Sequence, residues 1–103
     1  MPGLSVHVSR DYGTVVLHPH GALDFDSAPV LDRAAGQVQA PFETLTVDMS
    51  QVPFIDSAGL HVLVTLRNRC EARQCHMAVT GLQPQGARLL ELTGLTDFFH
   101  TAA

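Results

Sequence analysis

Short runs in which every second residue is apolar recur along this chain, and they commit it to a β-sheet with one dry face and one wet face. From Leu4 to Ser9, Leu4, Val6 and Val8 fall on one side of an extended strand, with Ser5, His7 and Ser9 on the other. After the turn-like Asp11-Tyr12-Gly13, the segment Thr14 to His20 continues in the same way, Val15 and Leu17 opposing His18 and His20, so the two runs predict a hairpin. Val16 departs from the alternation and makes the outer face less polar there. Thr44 to Met49 sets Leu45, Val47 and Met49 against Thr46 and Asp48, and His76 to Thr80 is a fourth short strand.

Between these runs the period becomes helical. Asp26 or Ser27 can cap a helix with Pro29 in its first turn, and Val30, Leu31, Ala34, Ala35 and Val38 place it at roughly residues 28 to 39, before Pro41. Ser57, directly ahead of the apolar run Ala58 to Cys70, is expected at the N-cap of a second helix, whose later arginines suit its carboxyl-terminal dipole. Pro84 to Leu92 predicts a third, ending near Gly94, and the tail LTDFFHTAA is too short for both another strand and another helix. The order is therefore ββαβαβα. Strands with one polar face do not suit a sheet covered on both sides. The expectation is an α/β fold: a mixed sheet of about four strands, helices packed mainly on one face, and right-handed crossovers that make the later strands parallel.

A chain of 103 residues, 46% hydrophobic, has apolar material for one core and one domain, residues 1–103. Ten acidic residues stand against six basic ones, all arginine, for a net charge of -4, which argues against a direct nucleic-acid partner that needs clustered cations. The start MPGLSVHVSR has no leader pattern and no run of apolar residues is long enough to span a bilayer, so a cytoplasmic monomer without membrane attachment is expected. Cys70 and Cys75 match neither a zinc ribbon nor a CxxC centre and are taken as reduced, structural thiols. His18 and His20, with His7 across the hairpin, could hold a metal, but scattered histidines on the predicted polar face suit solvation better, and no metal or other cofactor is expected.

The chemistry concentrates in VDMSQVPFIDSAGL, residues 47 to 60, where a strand, a tight loop and a helix start fall within fourteen residues. A serine at that helix start either caps it, contributing roughly 1 kcal/mol, or carries an anion that the amide groups and dipole favour. The segment around Ser57 also approaches the G-x-S-x-G nucleophile elbow of hydrolases, but Ile55 occupies the first glycine position and blocks the strained turn that motif requires. No catalysis is expected.

Taken together, Gly21, Leu23 and Asp24 after the second strand, then Asp48, Ser50, Val52, Phe54, Ile55, Asp56, Ser57, Gly59 and Leu60, closely resemble the STAS family, and within it the bacterial anti-sigma factor antagonists. The resemblance covers nearly the whole chain. It implies a partner switch. A cognate anti-sigma factor, itself a serine kinase using ATP, phosphorylates Ser57; the unphosphorylated antagonist binds that factor and frees a sigma factor, the phosphorylated form lets go, and a phosphatase resets it. Partner contacts would fall on Asp24, Asp56, Ser57, Ala58, Gly59 and Leu60. The same fold also serves as a module of stress-signalling scaffolds and of lipid or anion transport systems, which is the alternative. Departures from the family pattern are Ala22, where many relatives carry an acid, and an abbreviated C-terminal end.

Overall fold

The computed structural model of the protein describes residues 3–99. Its elements run β1 (Ser5–Asp11), β2 (Thr14–His20), α1 (Ala28–Gly36), β3 (Thr44–Asp48), α2 (Ser57–Ala72), β4 (His76–Thr80) and α3 (Pro84–Leu92), followed by a 3-10 turn at Asp97–Phe99. The four strands lie in sequential order in one mixed sheet. β1 and β2 form the antiparallel hairpin, closed at Asp11 and Thr14, whereas β2, β3 and β4 are parallel. The expected element order and strand directions therefore hold.

Alternation sorts the sheet as the sequence pattern predicts. Val15, Leu17, Leu45, Val47, Met77 and Val79 are buried on one face, where they meet Leu31 of α1, Leu60, Leu63 and Leu66 of α2, Leu90 of α3 and Phe99. On the other face His7 and His76 are exposed and His18 is half-buried. There His18 Nε2 is paired with Ser9 Oγ at 3.0 Å and Nδ1 with Asp48 Oδ2 at 3.3 Å. The Asp48 carboxylate also accepts the Ser50 backbone N–H at 3.0 Å, and this bond is the main reason its pKa is held below the usual carboxylate value.

The outer strand differs from expectation. β1 begins at Ser5, so Leu4 lies outside it, and Val8 is 45% exposed although its parity points to the helical side. α1 ends at Gly36 and not near residue 39, leaving Val38 in the loop beyond, and Val8 borders an open groove that Ala34, Gln37 and Val38 also line. Met49, expected in the third strand, follows its end but is fully buried.

Both later helices stop in the same way. Gln74 after α2 and Gly94 after α3 take left-handed backbone, φ 61° and 73°. Cys75 N–H then donates to the Cys70 carbonyl at 2.9 Å, and Leu95 N–H to the Leu90 carbonyl at 2.8 Å, which is the Schellman closure of a helix end. Among the described residues no helix is long and apolar enough to cross a membrane. The expectation for the tail falls partly on residues 100–103, outside the described residues.

Candidate functional site

In a parallel α/β sheet, loops leaving the carboxyl ends of the strands gather at one edge of the molecule. Here the loop after β2 (residues 21–27) and the loop after β3 (residues 49–56) are stitched side by side. Gly21 N–H donates to the Gln51 carbonyl at 3.0 Å, Leu23 N–H to Phe54 at 2.9 Å, and Asp56 N–H to Leu23 at 3.2 Å, with Leu23 and Ile55 forming a parallel bridge. Gln85, on α3, holds the second loop from behind: its side-chain amide accepts from Ile55 N–H and donates to the Ile55 carbonyl, both at 2.8 Å. No short-range pattern in the sequence marks Gln85 for this role, because its partner lies thirty residues away.

The start of α2 corrects one expectation. Asp56, not Ser57, is the N-cap: its backbone is extended and its Oδ1 accepts the Gly59 N–H at 2.9 Å. The other carboxylate oxygen, Oδ2, accepts the Phe25 N–H at 3.1 Å. One side chain thus caps the helix and ties it to the loop after β2. Ser57 is the first helical residue, exposed, and its hydroxyl makes no hydrogen bond among the described residues. Accordingly, Asp56→Ala is expected to lower stability by about 1–2 kcal/mol, a fall of several degrees in Tm by circular dichroism, whereas Ser57→Ala should melt like the parent. The reverse pattern would make Ser57 the cap.

Asp24 has a structural task. Its Oδ1 accepts both the backbone N–H and the hydroxyl of Ser27 at 3.0 Å, while Asp24 N–H donates to Ser27 Oγ at 2.9 Å. Ser27 stands at the N-cap position of α1, as expected, but its hydroxyl turns back to the Ala22 carbonyl and does not cap the helix; Asp26 is exposed and supplies no cap either. Asp24 is half-buried and makes no bond to Ser57. Of the remaining expected contact residues, Ala58 is half-buried, and Gly59 and Leu60 are buried. A Cβ on Gly59 would stand 2.3 Å from the Leu23 carbonyl oxygen. Gly59 and Leu60 both lie on the core side of the first turn of α2 and pack there.

Two aromatic side chains also reach solvent here. Phe25, 77% exposed, stands beside a groove of about 320 Å³ between α1 and α2, with Ala28, Pro29, Asp32, Ala58, His61 and Val62 along it. Phe54 is 46% exposed on the neighbouring loop. Asp24, Asp26 and Asp56 surround this patch in the chain, with no basic residue between Gly21 and Asp32. Sequence periodicity gives no hint of Phe25, since it lies in a loop; its only signal is an aromatic residue between two acids. The serine, histidine and aspartate that do form a hydrogen-bonded chain are Ser9, His18 and Asp48 on the open sheet face, and Ser57 is not part of it.

Comparison with known proteins agrees with this geometry. The sequence profile of the STAS domain matches residues 5–103. An anti-sigma-B factor antagonist of Listeria monocytogenes is 32% identical over 89 residues, 85% of this chain and 78% of that one. The crystal structure of an anti-sigma factor antagonist from Mycobacterium paratuberculosis superposes with a TM-score of 0.85 at 29% identity, over 96% of this chain and 85% of that chain. A sulfate transporter family protein from Wolinella succinogenes shares the fold, with a TM-score of 0.77 at 21% identity over 88% and 75% of the two chains. By profile, sequence and fold alike, the chain belongs to the STAS domain family.

Proposed function

We propose that this protein is an anti-sigma factor antagonist: unphosphorylated, it binds an anti-sigma factor that is also a serine kinase and so frees a sigma factor; phosphorylation of Ser57 ends the contact, and a phosphatase restores it. The observation that carries this is the exposed, unbonded Ser57 hydroxyl at the first position of α2, beside a fixed apolar patch. A kinase needs an accessible hydroxyl. The site supplies it without disturbing the cap, because Asp56 performs that function. The amino end of α2 tolerates a phosphate, so the modified protein keeps its fold. ATP belongs to the partner, and the antagonist itself supplies a binding surface and a phosphate acceptor.

The test is displacement. Unphosphorylated protein is titrated into complexes of sigma factors with their serine-kinase anti-sigma factors from the same organism. Release of one sigma factor at near-equimolar antagonist is expected, and retention of every sigma factor in its complex would refute the proposal. Phe25 should dominate the contact, since a large aromatic side chain held on a tied backbone loses little freedom on binding. In the same titration Phe25→Ala is expected to bind about thirtyfold more weakly, equivalent to ~2 kcal/mol.

A further inference from the structure

The opposite end of α2 holds two thiols that the switch at Ser57 does not use. Cys70 is buried in the core, and Cys75 is partly exposed. They occupy the third-last helical position and the second position past the cap of the Schellman closure, with the Cys75 N–H bonded to the Cys70 carbonyl. Side chains at those two positions characteristically meet. The closure of α3 has the same register, with Leu90 and Leu95 in these positions, and both pack into the core. Cys70 and Cys75 also line one cavity of about 330 Å³, with Phe42, Leu45 and Leu66 behind them and Arg73 at its edge. Burial and the neighbouring Cys75 thiol push the Cys70 thiol up to about 12, so at neutral pH it rests protonated and protected.

We infer that Cys70 and Cys75 form a redox modification site, a dithiol that closes to a disulfide on reaction with a low-molecular-weight disulfide of the glutathione class. Cys75, the accessible thiol, attacks the glutathione disulfide as its thiolate. Its sulfur bonds to one glutathione sulfur, the other leaves as a thiolate, and that thiolate takes up the proton Cys75 gave. Cys70 then gives up its proton and attacks the Cys75 sulfur, expelling the second glutathione, which is likewise protonated. Two cysteine thiols are oxidised and one glutathione disulfide is reduced to two glutathiones. The second step is the slower near neutrality because Cys70 must ionise, and it accelerates as pH rises. The bridge would fasten the last turn of α2 to the residue before β4, closing the connection at residues 73–75.

The full chain is incubated with glutathione disulfide at pH 7 and pH 8 and followed by intact mass and by peptide mapping without reduction. The inference expects a transient adduct of one glutathione on Cys75, then loss of about two mass units relative to the reduced protein as the bridge closes, faster at pH 8, with Cys70 and Cys75 in one linked peptide. Cys70→Ser should stop at the Cys75 adduct, and Cys75→Ser should take up no glutathione. A stable Cys75 adduct on the parent chain, reaction at Cys70 in Cys75→Ser, or no reaction within hours would each overturn the assignment. The parent mapping stands alone if a variant fails to fold.

Discussion

Replacing Gly59 by alanine is expected to cost about 3 kcal/mol or more and to lower Tm by upwards of ten degrees. The added methyl would lie 2.3 Å from the Leu23 backbone oxygen, 2.8 Å from Leu23 Cγ and 3.1 Å from Ile55. Leu23 cannot move aside easily, because it is fully buried and its backbone bonds to Phe54 and Asp56 join the two loops. With total stability of a domain this size commonly about 5–15 kcal/mol, such a loss would remove a large fraction of it. Gly36 supplies the control. No atom lies within 4 Å of a Cβ there, so Gly36→Ala should melt at or slightly above the parent. A Gly59→Ala protein with the parent's melting curve would mean that the loops are not locked as described.

Ser57→Asp is expected to bind the anti-sigma factor two to three orders of magnitude more weakly than the parent, at about 3–4 kcal/mol, while Ser57→Ala binds like the parent. A contact that covers Ser57 excludes water from it, and a new negative group beside Asp56 is then both unpaired and repelled. The phosphate itself is the stronger form of the same change. It takes the chain from a net charge of -4 to roughly -6, with the whole increment placed at one helix terminus. The fold is not the casualty, since an acid in the first turn of a helix is favourable, and Ser57→Asp should melt no lower than the parent. Loss of binding together with loss of structure would assign the effect to unfolding; parent-like binding by Ser57→Asp would remove the switch.

Much of this architecture is legible in the sequence because one-sided alternation is a strong constraint. The parity of Val15, Leu17, Leu45 and Val47 fixes which face receives the helices, and chirality then leaves little choice for the crossovers. The start and end of α3 follow from Pro84 and Gly94, whose backbone preferences act locally. What escapes the sequence is settled by contacts between distant segments. Asp56 and Ser57 are both good capping residues, and adjacent positions cannot be ranked by propensity; Asp56 takes the cap while its second oxygen holds Phe25, thirty-one residues earlier. Gly59 and Leu60 belong to a matching motif, yet a motif does not say which of its residues face the core. The end of α1 at Gly36 escapes as well, because Val38 continues the apolar spacing past it.

The central claim is that Ser57 is the phosphate acceptor through which binding is switched. Its most direct test is peptide mapping by mass spectrometry after incubating the protein and ATP with the serine-kinase anti-sigma factor proposed as its partner. One phosphate on Ser57, absent from Ser57→Ala, is the expected result; a phosphate on any other residue, or a fully modified protein that still holds its partner at the original affinity, would contradict it.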